Sequence, residues 1–375
     1  MEKLNKNVVR KWQVKYHALD TPALLVDRDR LEANLHNMAE LTRCHGKMLR
    51  PHAKTHKTPE IAQRQLAAGA VGLTVAKLGE AEVFAEAGCT DIFIANQIVG
   101  EQKLERLVRL ARQCTLRVGV DSLEVAVPLS EAARRAGVRV GVRLEVDTGL
   151  HRAGVRTKEE AIALAHALAK LPNLELDGIF TYEGHLYQAN SDQERAIAIA
   201  RMSETLADLR ESLVRQGFAI SVTSVGSTPG ARFTAPVPGL DELRCGVYIF
   251  NDRMQVARGA PKESCALTVL TTVISVRPDG RVIVDAGTKA LASDKPFADQ
   301  TMGEVLEDTS LRFVAASEEH GHLQAEGGTR LRVGDKVRIV PNHACTCVNL
   351  HERMYVVKGE EVEDVWEIRA RGKFL

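Results

Sequence analysis

The sequence predicts an α/β fold, namely a (β/α)8 TIM-like barrel followed by a mainly antiparallel β domain. Up to about residue 250, short apolar runs alternate with amphipathic stretches, the pattern of a parallel sheet covered by helices. After about residue 255 the runs become β-rich, turns such as Pro278-Asp279-Gly280 separate them, and long amphipathic stretches are absent. The predicted domains are residues 21–254 and 255–375, with residues 1–20 as a segment that could pack on the second.

The first half contains nine strand-like runs, one more than an eight-stranded barrel needs. They are ALLVD, KMLRPHAK, GLTVA, DIFIAN, TLRVGV, RVGVRLEVD, LELDGIFTY, ISVTSVG and ELRCGVYIF. Amphipathic runs such as SLEVAVPLSEAARRAG lie between them, and several end in glycine, a common helix C-cap. This pattern alone also leaves open a doubly wound open sheet.

Composition excludes several function classes. The 375 residues are 45% hydrophobic, enough for a sizeable core, and the net charge of +1 provides no global field for nucleic acid or a membrane surface. No apolar run reaches the ~18 residues of a transmembrane helix, and the first twenty residues lack the apolar core of a signal peptide. Seven scattered cysteines fit reduced thiols. We therefore expect a cytoplasmic protein without nucleic-acid or membrane partners.

A basic cluster lies at the exit of the second strand-like run. The stretch LRPHAKTHKTPE holds Arg50, Lys54 and Lys57 together with two histidines. Thr58 and Pro59 fit the N-cap and first residue of the next helix, so Lys54 lies between a strand and a helix. We expect the basic neighbours of Lys54 to attract anionic ligands.

Polar side chains also follow other predicted barrel strands. They are Asp147, His151, Arg152, Tyr182, Glu183, His185, Tyr187, Gly226, Ser227, Thr228, Arg244 and Tyr248. The C-terminal ends of barrel strands share one face, where active sites lie. The run SVGSTPG offers backbone N–H groups and hydroxyls to an anion such as phosphate. A lysine, an anion cradle and cations on one face together fit pyridoxal phosphate.

These motifs resemble the fold-type III pyridoxal phosphate enzymes, the alanine racemase-like barrels. PHAKTHK, DTGLHRAG, SVGSTP and LRCGVYIF carry the resemblance, and VDAGTKAL, EEHGHL and PNHACTCVNL narrow it to the D-threonine aldolase and D-serine dehydratase branch. The resemblance runs from about Thr21 to beyond Asn349. It implies that ALLVD lies outside the barrel, that the chain forms a homodimer, and that the active sites lie between subunits.

The resemblance implies a cofactor-binding set residue by residue. Its members are Lys54, Arg152, Tyr182, Gly226, Ser227, Thr228, Arg244 and Tyr248. Lys54 matches the Schiff-base lysine, Arg152 an arginine near the phenolic oxygen, residues 226–228 the phosphate cradle and Tyr248 a tyrosine near the phosphate. Arg244 matches the position that faces the pyridine nitrogen. Arginine cannot accept a hydrogen bond, so it favours an unprotonated ring, which is a weaker electron sink.

The run PNHACTC contains a second candidate site. His343 and Cys345 alternate along what we predict to be an extended segment, so both side chains are expected on one side. Alone, His-x-Cys is a weak zinc signal, because structural sites usually have four protein ligands. In the branch that this chain resembles, the pair holds a divalent metal (Mn, Mg, Co or Zn) and leaves positions for substrate oxygens. His320 in EEHGH is a candidate substrate contact.

The resemblance implies a β-hydroxy D-amino acid as substrate, with two possible outcomes. An aldolase removes the β-hydroxyl proton and cleaves D-threonine or 3-hydroxy-D-aspartate to glycine and an aldehyde. A dehydratase acting on D-serine or 3-hydroxy-D-aspartate expels the hydroxyl and releases ammonia and a 2-oxo acid. His185 is placed as a base for the hydroxyl, which favours the aldolase.

Two further classes are less favoured by the sequence. A racemase needs a second base, usually a tyrosine of the β domain, and Tyr355, the only tyrosine after residue 254, lies outside any racemase-like motif. Small cofactor-carrying barrels lack a β domain, which this chain is predicted to have.

Overall fold

The computed structural model describes residues 14–189, 191–294 and 301–375. In chain order the strands are β1 (Val14–Lys15), β2 (Ala23–Asp27), β3 (Met48–Leu49), β4 (Leu73–Val75), β5 (Asp91–Ile94), β6 (Thr115–Val120), β7 (Val140–Glu145), β8 (Leu174–Phe180), β9 (Val222–Val225), β10 (Glu242–Leu243), β11 (Leu267–Val276), β12 (Arg281–Val284), β13 (Gly303–Val305), β14 (Leu311–Ala316), β15 (Gly321–Ala325), β16 (Lys336–Pro341), β17 (Arg353–Lys358) and β18 (Glu361–Glu367). The α-helices are α1 (Arg28–Cys44), α2 (Pro59–Ala67), α3 (Leu78–Glu86), α4 (Glu101–Leu110), α5 (Leu123–Ala136), α6 (Lys158–Leu168), α7 (Asp192–Arg215), α8 (Ala231–Thr234), α9 (Arg253–Val256), α10 (Thr288–Leu291) and α11 (Ala344–Val348).

Strands β3 to β10 form a closed parallel barrel. Their order in the sheet is β3-β10-β9-β8-β7-β6-β5-β4. Pro51 and Ala53, just after β3, exchange backbone hydrogen bonds with Thr74 of β4 and thereby join the two ends of the sheet. The predicted barrel is confirmed, and the open sheet is excluded. Helix α2 begins at Pro59 with Thr58 as its N-cap, as predicted.

The second sheet is mainly antiparallel and also closes. Strands β11-β12-β15-β14-β13-β16 form a ring, because β16 pairs back with β11. Strand β2, the ALLVD run, pairs with β11 and β17, so its predicted place outside the barrel is confirmed. Strand β1 pairs with β18 and therefore lies against this sheet, whereas residues 1–13 of the predicted packing segment lie outside the described residues.

The chain divides into two compact units. The β unit comprises the described residues up to Glu32, Phe250–Met254 and Pro261–Ile368, and the barrel unit comprises Ala33–Ile249, Gln255–Ala260 and Arg369–Leu375. The predicted domain boundary between residues 254 and 255 stays a prediction. Within the described ranges, no helix is long and apolar enough to cross a membrane. All seven cysteines are described, and no disulfide joins any of them.

Charged side chains occupy part of the barrel interior, where branched apolar residues are usual. Glu242 on β10 is fully buried, and its carboxylate accepts hydrogen bonds of 2.6 Å from Arg50 and Arg143. Asp91 pairs with Arg50 as well. Buried charges need partners of opposite sign. Arg50 is therefore committed to carboxylates of its own chain.

Candidate active site

A cavity of about 310 Å³ lies at the C-terminal ends of the barrel strands. Its size is within the range of small-molecule sites. Seven of the predicted cofactor residues line it, namely Lys54, Arg152, Tyr182, Gly226, Ser227, Thr228 and Arg244. The eighth, Tyr248, and the predicted base His185 do not belong to its wall. The structure thus brings together residues from the ends of β3, β7, β8, β9 and β10.

Lys54 differs from its neighbours Arg50 and Lys57, because those two side chains form ion pairs with carboxylates. Its Nζ lies 5.5 Å from the centroid of the Tyr182 ring at the cavity wall. Lys57 is buried and its Nζ lies 2.5 Å from Oε1 of Glu80, whereas Arg50 pairs with carboxylates in the barrel interior. The expectation that these two neighbours attract anionic ligands is therefore wrong, because buried cations must be neutralised within the protein.

Arg244 is a fixed cation on the cavity wall. One guanidinium nitrogen donates to Oγ of Ser224 and another donates to the carbonyl of Thr181, both at 2.6 Å. Burial lowers the pKa of Arg244 to about 10, despite the opposing effect of Glu242, so the guanidinium remains charged at neutral pH. The position offers a charged donor to a ligand atom and cannot accept a hydrogen bond from it.

Arg152 is held by a carboxylate that sequence reasoning missed. Its guanidinium lies 5.2 Å from the Tyr182 ring centroid and 3.7 Å from Oε1 of Glu145. Glu145 lines the cavity, is buried and accepts a 2.6 Å hydrogen bond from Gln97. Burial raises the pKa of Glu145, although Gln97 and Arg152 oppose this. The available signal was its place at the end of RVGVRLEVD, the same position along a strand that drew attention to the other polar residues.

The two hydroxyls of the predicted phosphate cradle donate to no acceptor in the part of the chain that the structure describes. Ser227 Oγ accepts the N–H of Gly230, and Thr228 Oγ1 accepts the N–H of Tyr248, so both hydroxyls can donate to an anion. The N–H of Gly226 instead donates to Oε2 of buried Glu183 at 2.9 Å.

Position 226 itself requires glycine. Its φ is +135°, and an added Cβ would lie 2.4 Å from the backbone nitrogen of Arg244. The backbone can therefore approach Arg244 closely, which places the hydroxyls and the guanidinium on one wall. A phosphate-bearing aldehyde fits this combination of lysine, hydroxyl donors and fixed arginine.

His185 lies beside the cavity residues in sequence but not on the cavity wall. It belongs to a 3-10 helix, Gly184–Gln188, that follows β8, and its Nδ1 is buried without a hydrogen-bond partner among the described residues. Partial burial lowers the pKa of His185 below its usual 6.5, although Glu183 and Asp147 oppose the shift. The imidazole is therefore neutral at neutral pH, as a general base must be.

The segment of His343 and Cys345 is helical, so its predicted extended conformation is wrong. Strand β16 ends at Pro341, His343 is the N-cap of α11, and Cys345 lies in the first turn. The two side chains nevertheless lie close enough to interact with each other. Buried Asp252 accepts a hydrogen bond from the N–H of Ala344 and lies 3.2 Å from Nδ1 of His343.

A metal could use this pair as two of its ligands. Among the described residues, no group of three or more His, Cys, Asp and Glu side chains is arranged to hold an ion. An imidazole and a thiol side by side fit an open site that takes its other ligands from water or substrate. The thiol of Cys347 instead donates to the carbonyl of Ala290. His320 is exposed in the turn between β14 and β15, where its carbonyl accepts the N–H of Ser317.

Two family models match consecutive parts of the chain. The model "Alanine racemase, N-terminal domain" matches residues 26–254, and "Putative serine dehydratase domain" matches residues 266–357. The chain is 37% identical to a D-threonine aldolase of Arthrobacter sp. over 94% of its own length and 93% of that protein. The similarity therefore extends over both halves.

Solved structures match both halves as well. A D-threonine aldolase of Filomicrobium marinum superposes with a TM-score of 0.93 at 34% identity, covering 97% of this chain and 98% of the other. The D-threo-3-hydroxyaspartate dehydratase of Delftia sp. HT23 has a TM-score of 0.89 at 33% identity, covering 95% and 99%.

Two further solved structures are single-residue mutants of D-threo-3-hydroxyaspartate dehydratase. They replace a histidine and a cysteine two positions apart, the spacing of His343 and Cys345, and the cysteine mutant is described as the metal-free form. By family model, whole-length identity and fold, the chain belongs to the alanine racemase-like family, in the branch whose barrel is followed by a serine dehydratase-type domain.

Proposed function

We propose that the protein is a pyridoxal phosphate- and divalent metal-dependent aldolase. It would cleave β-hydroxy D-amino acids of the D-threonine or 3-hydroxy-D-aspartate type to glycine and an aldehyde. The supporting observation is the cavity at the C-terminal face of the barrel, with its lysine, hydroxyl cradle and arginines, in a chain similar along nearly its whole length to a D-threonine aldolase.

Each of the cavity residues would bind a different part of the cofactor. Lys54 would hold the aldehyde, Ser227 and Thr228 the phosphate, Arg152 the phenolic oxygen and Arg244 the pyridine nitrogen. Bound pyridoxal phosphate withdraws electrons from Cα of an attached amino acid and so weakens the bonds to that carbon. Arg244 stays charged and cannot accept a hydrogen bond, so it would favour an unprotonated ring nitrogen.

The β-hydroxyl is the point at which cleavage begins. His343 and Cys345 would hold the divalent metal, which supplies a Lewis acid for that oxygen. His185, neutral at neutral pH, would take the hydroxyl proton. His320 as a substrate contact, the homodimer and the cytoplasmic location stay predictions. Sedimentation tests the dimer, which should have twice the 41.1 kDa chain mass.

A dehydratase is the second candidate, because the fold matches a D-threo-3-hydroxyaspartate dehydratase almost as well as an aldolase. One assay separates them. The purified protein is incubated with D-threonine, D-serine and 3-hydroxy-D-aspartate, each with manganese or with chelator, and with L-threonine as the control. Metal-dependent release of glycine and aldehyde from D-threonine is expected. Ammonia with a 2-oxo acid would instead establish the dehydratase, and no turnover of any D-substrate would reject both.

A further inference from the structure

A chain of buried hydrogen bonds ends at the hydroxyl of Tyr248. His56, Gln65 and Tyr248 are 0%, 1% and 4% exposed. Nε2 of His56 lies 3.2 Å from Oε1 of Gln65, and Nε2 of Gln65 lies 3.0 Å from Oη of Tyr248. All three residues belong to the barrel unit.

The direction of this chain is set at the N-cap of α2. The N–H of Thr58 lies 3.1 Å from Nδ1 of His56, and it has no other acceptor among the described residues. Nδ1 of His56 also lies 3.1 Å from the carbonyl oxygen of Thr58, but that oxygen already accepts the N–H of Ala62 and is satisfied without the imidazole. Nδ1 must therefore be the acceptor, since a proton there would leave a buried N–H without a partner. Burial lowers the pKa of His56 to about 3, so the ring is neutral and its single proton is on Nε2.

The remaining links follow from this tautomer. His56 Nε2–H donates to Oε1 of Gln65, which turns the amide nitrogen toward Tyr248. The Tyr248 oxygen accepts from that nitrogen, and its own proton has no acceptor among the described residues. Tyr248 therefore presents a donor, and burial raises its pKa, so the hydroxyl keeps its proton at neutral pH.

The acceptor that suits this proton is an anion at the cradle. The backbone N–H of Tyr248 already bonds to Thr228, and the adjacent Val247 lines the cavity. We propose that His56 and Gln65 are positioning residues that hold Tyr248 as a hydrogen-bond donor to the phosphate of the cofactor. The inference rests on the proposed function, because it requires pyridoxal phosphate in this cavity. In this proposal His56, the second histidine of the basic cluster, positions Tyr248 and does not itself bind the cofactor.

The test compares two cofactor forms that differ only in the phosphate. Apoenzyme variants are titrated with pyridoxal phosphate and with pyridoxal, and binding is followed by absorbance. Gln65→Met removes the donor at similar length, and Gln65→Glu supplies a carboxylate that accepts the tyrosine proton instead. Each should weaken pyridoxal phosphate binding about tenfold or more, the worth of one hydrogen bond to a charged group, and leave pyridoxal binding unchanged. Gln63→Met, exposed on the same helix, is the matched control and should change neither.

A double-mutant cycle makes the assignment specific. Tyr248→Phe should weaken pyridoxal phosphate binding similarly, and Gln65→Met added to it should cause no further loss. The inference would be overturned if Gln65→Met weakened the binding of both cofactor forms equally. It would also be overturned if Gln65→Met weakened pyridoxal phosphate binding as much in the Tyr248→Phe background as in the parent, because Gln65 would then act only structurally. A parent protein that binds neither form would overturn the proposed function itself. Circular dichroism establishes that each variant is folded.

Discussion

Burial and pairing distinguish Lys54 from the basic residues around it. Arg50 and Lys57 are buried against carboxylates, and His56 is a neutral hydrogen-bonding group, whereas Lys54 lines the cavity. A lysine that is to bind an aldehyde needs access and an amine that no carboxylate holds. Of the five basic residues between 50 and 57, Lys54 best meets these requirements.

Reduction should therefore label Lys54. Borohydride treatment of the protein with bound pyridoxal phosphate, followed by peptide mapping, is expected to place the pyridoxyl group on Lys54. Lys57 is the internal control, since its ion pair with Glu80 holds its amine in the protein interior. Label on Lys57 or on exposed Lys289 would contradict the assignment.

His185 should set the acid side of the pH profile. The base must be unprotonated to act, and the pKa of His185 lies below 6.5, so activity should be full at pH 7 and fall as the pH drops through that lower pKa. His185→Asn should reduce D-threonine cleavage about a hundredfold, the usual worth of a positioned base. Exchange of the Cα proton of D-alanine should survive, because Lys54 would serve that step. Cleavage at the parent rate would remove His185 from the mechanism.

At the scale of elements, helix α11 brings its two candidate ligands together in a way that a strand would not. His343 is extended at the N-cap, and the chain turns into the helix at Ala344, so the side chains at i and i+2 meet across this turn. Asp252 supports the turn through the N–H of Ala344 and the ring of His343. A carboxylate that bonds to the ring of a metal-binding histidine in this way commonly orients that ring.

Removing either ligand should separate metal binding from cofactor binding. His343→Ala and Cys345→Ala are each expected to abolish metal-dependent turnover and weaken manganese binding by about tenfold or more in calorimetry. The cofactor absorbance should remain, because the proposed cofactor residues belong to the barrel unit. Cys347→Ala is the matched control. Its thiol bonds to Ala290, so this variant should lose thermal stability but keep the metal. Full activity of the first two variants in chelator would disprove the site.

At the scale of the whole barrel, the interior depends on charge pairing as well as apolar packing. Glu242 on β10 joins Arg50, which follows β3, to Arg143 on β7, and Ser224 on β9 donates to the same carboxylate. Ser224 in turn accepts from Arg244 at the cavity wall. The charged interior and the cavity are therefore one connected hydrogen-bond network.

This network predicts a specific loss of stability in acid. Burial would raise the pKa of Glu242, but Arg50 and Arg143 outweigh burial and lower it to about 2 from the usual 4.5. A carboxyl with a lowered pKa stabilises the fold above pH 4.5, and that contribution, on the order of 3 kcal/mol, is lost as the pH falls from 4.5 toward 2.

Urea unfolding of the parent and Glu242→Gln at pH 7 and pH 3.5 measures this contribution. The variant should be much less stable at pH 7, because two buried arginines lose a partner, and the difference should narrow at pH 3.5. Glu40→Gln is the control, since Glu40 is paired with Arg43 but exposed to water. It should change stability little at either pH. Equal effects of the two substitutions would contradict the role of the buried network.

The order of elements could be predicted from the periodicity of the sequence. The barrel class, the place of β2 outside the barrel and seven cofactor residues of the cavity wall followed from the motifs at strand ends together with the family resemblance. Periodicity, caps and turns depend on near neighbours in the chain, and the motifs at strand ends share one face of any such barrel. Which side chains pair depends instead on the three-dimensional fold. Arg50 meets Glu242 across 192 residues, His56 reaches Tyr248 through Gln65, and His343 is held by Asp252. Such partners are set by the folding of distant segments against each other. For the same reason, the neighbours of each basic residue in the sequence could not show whether that residue pairs with a carboxylate.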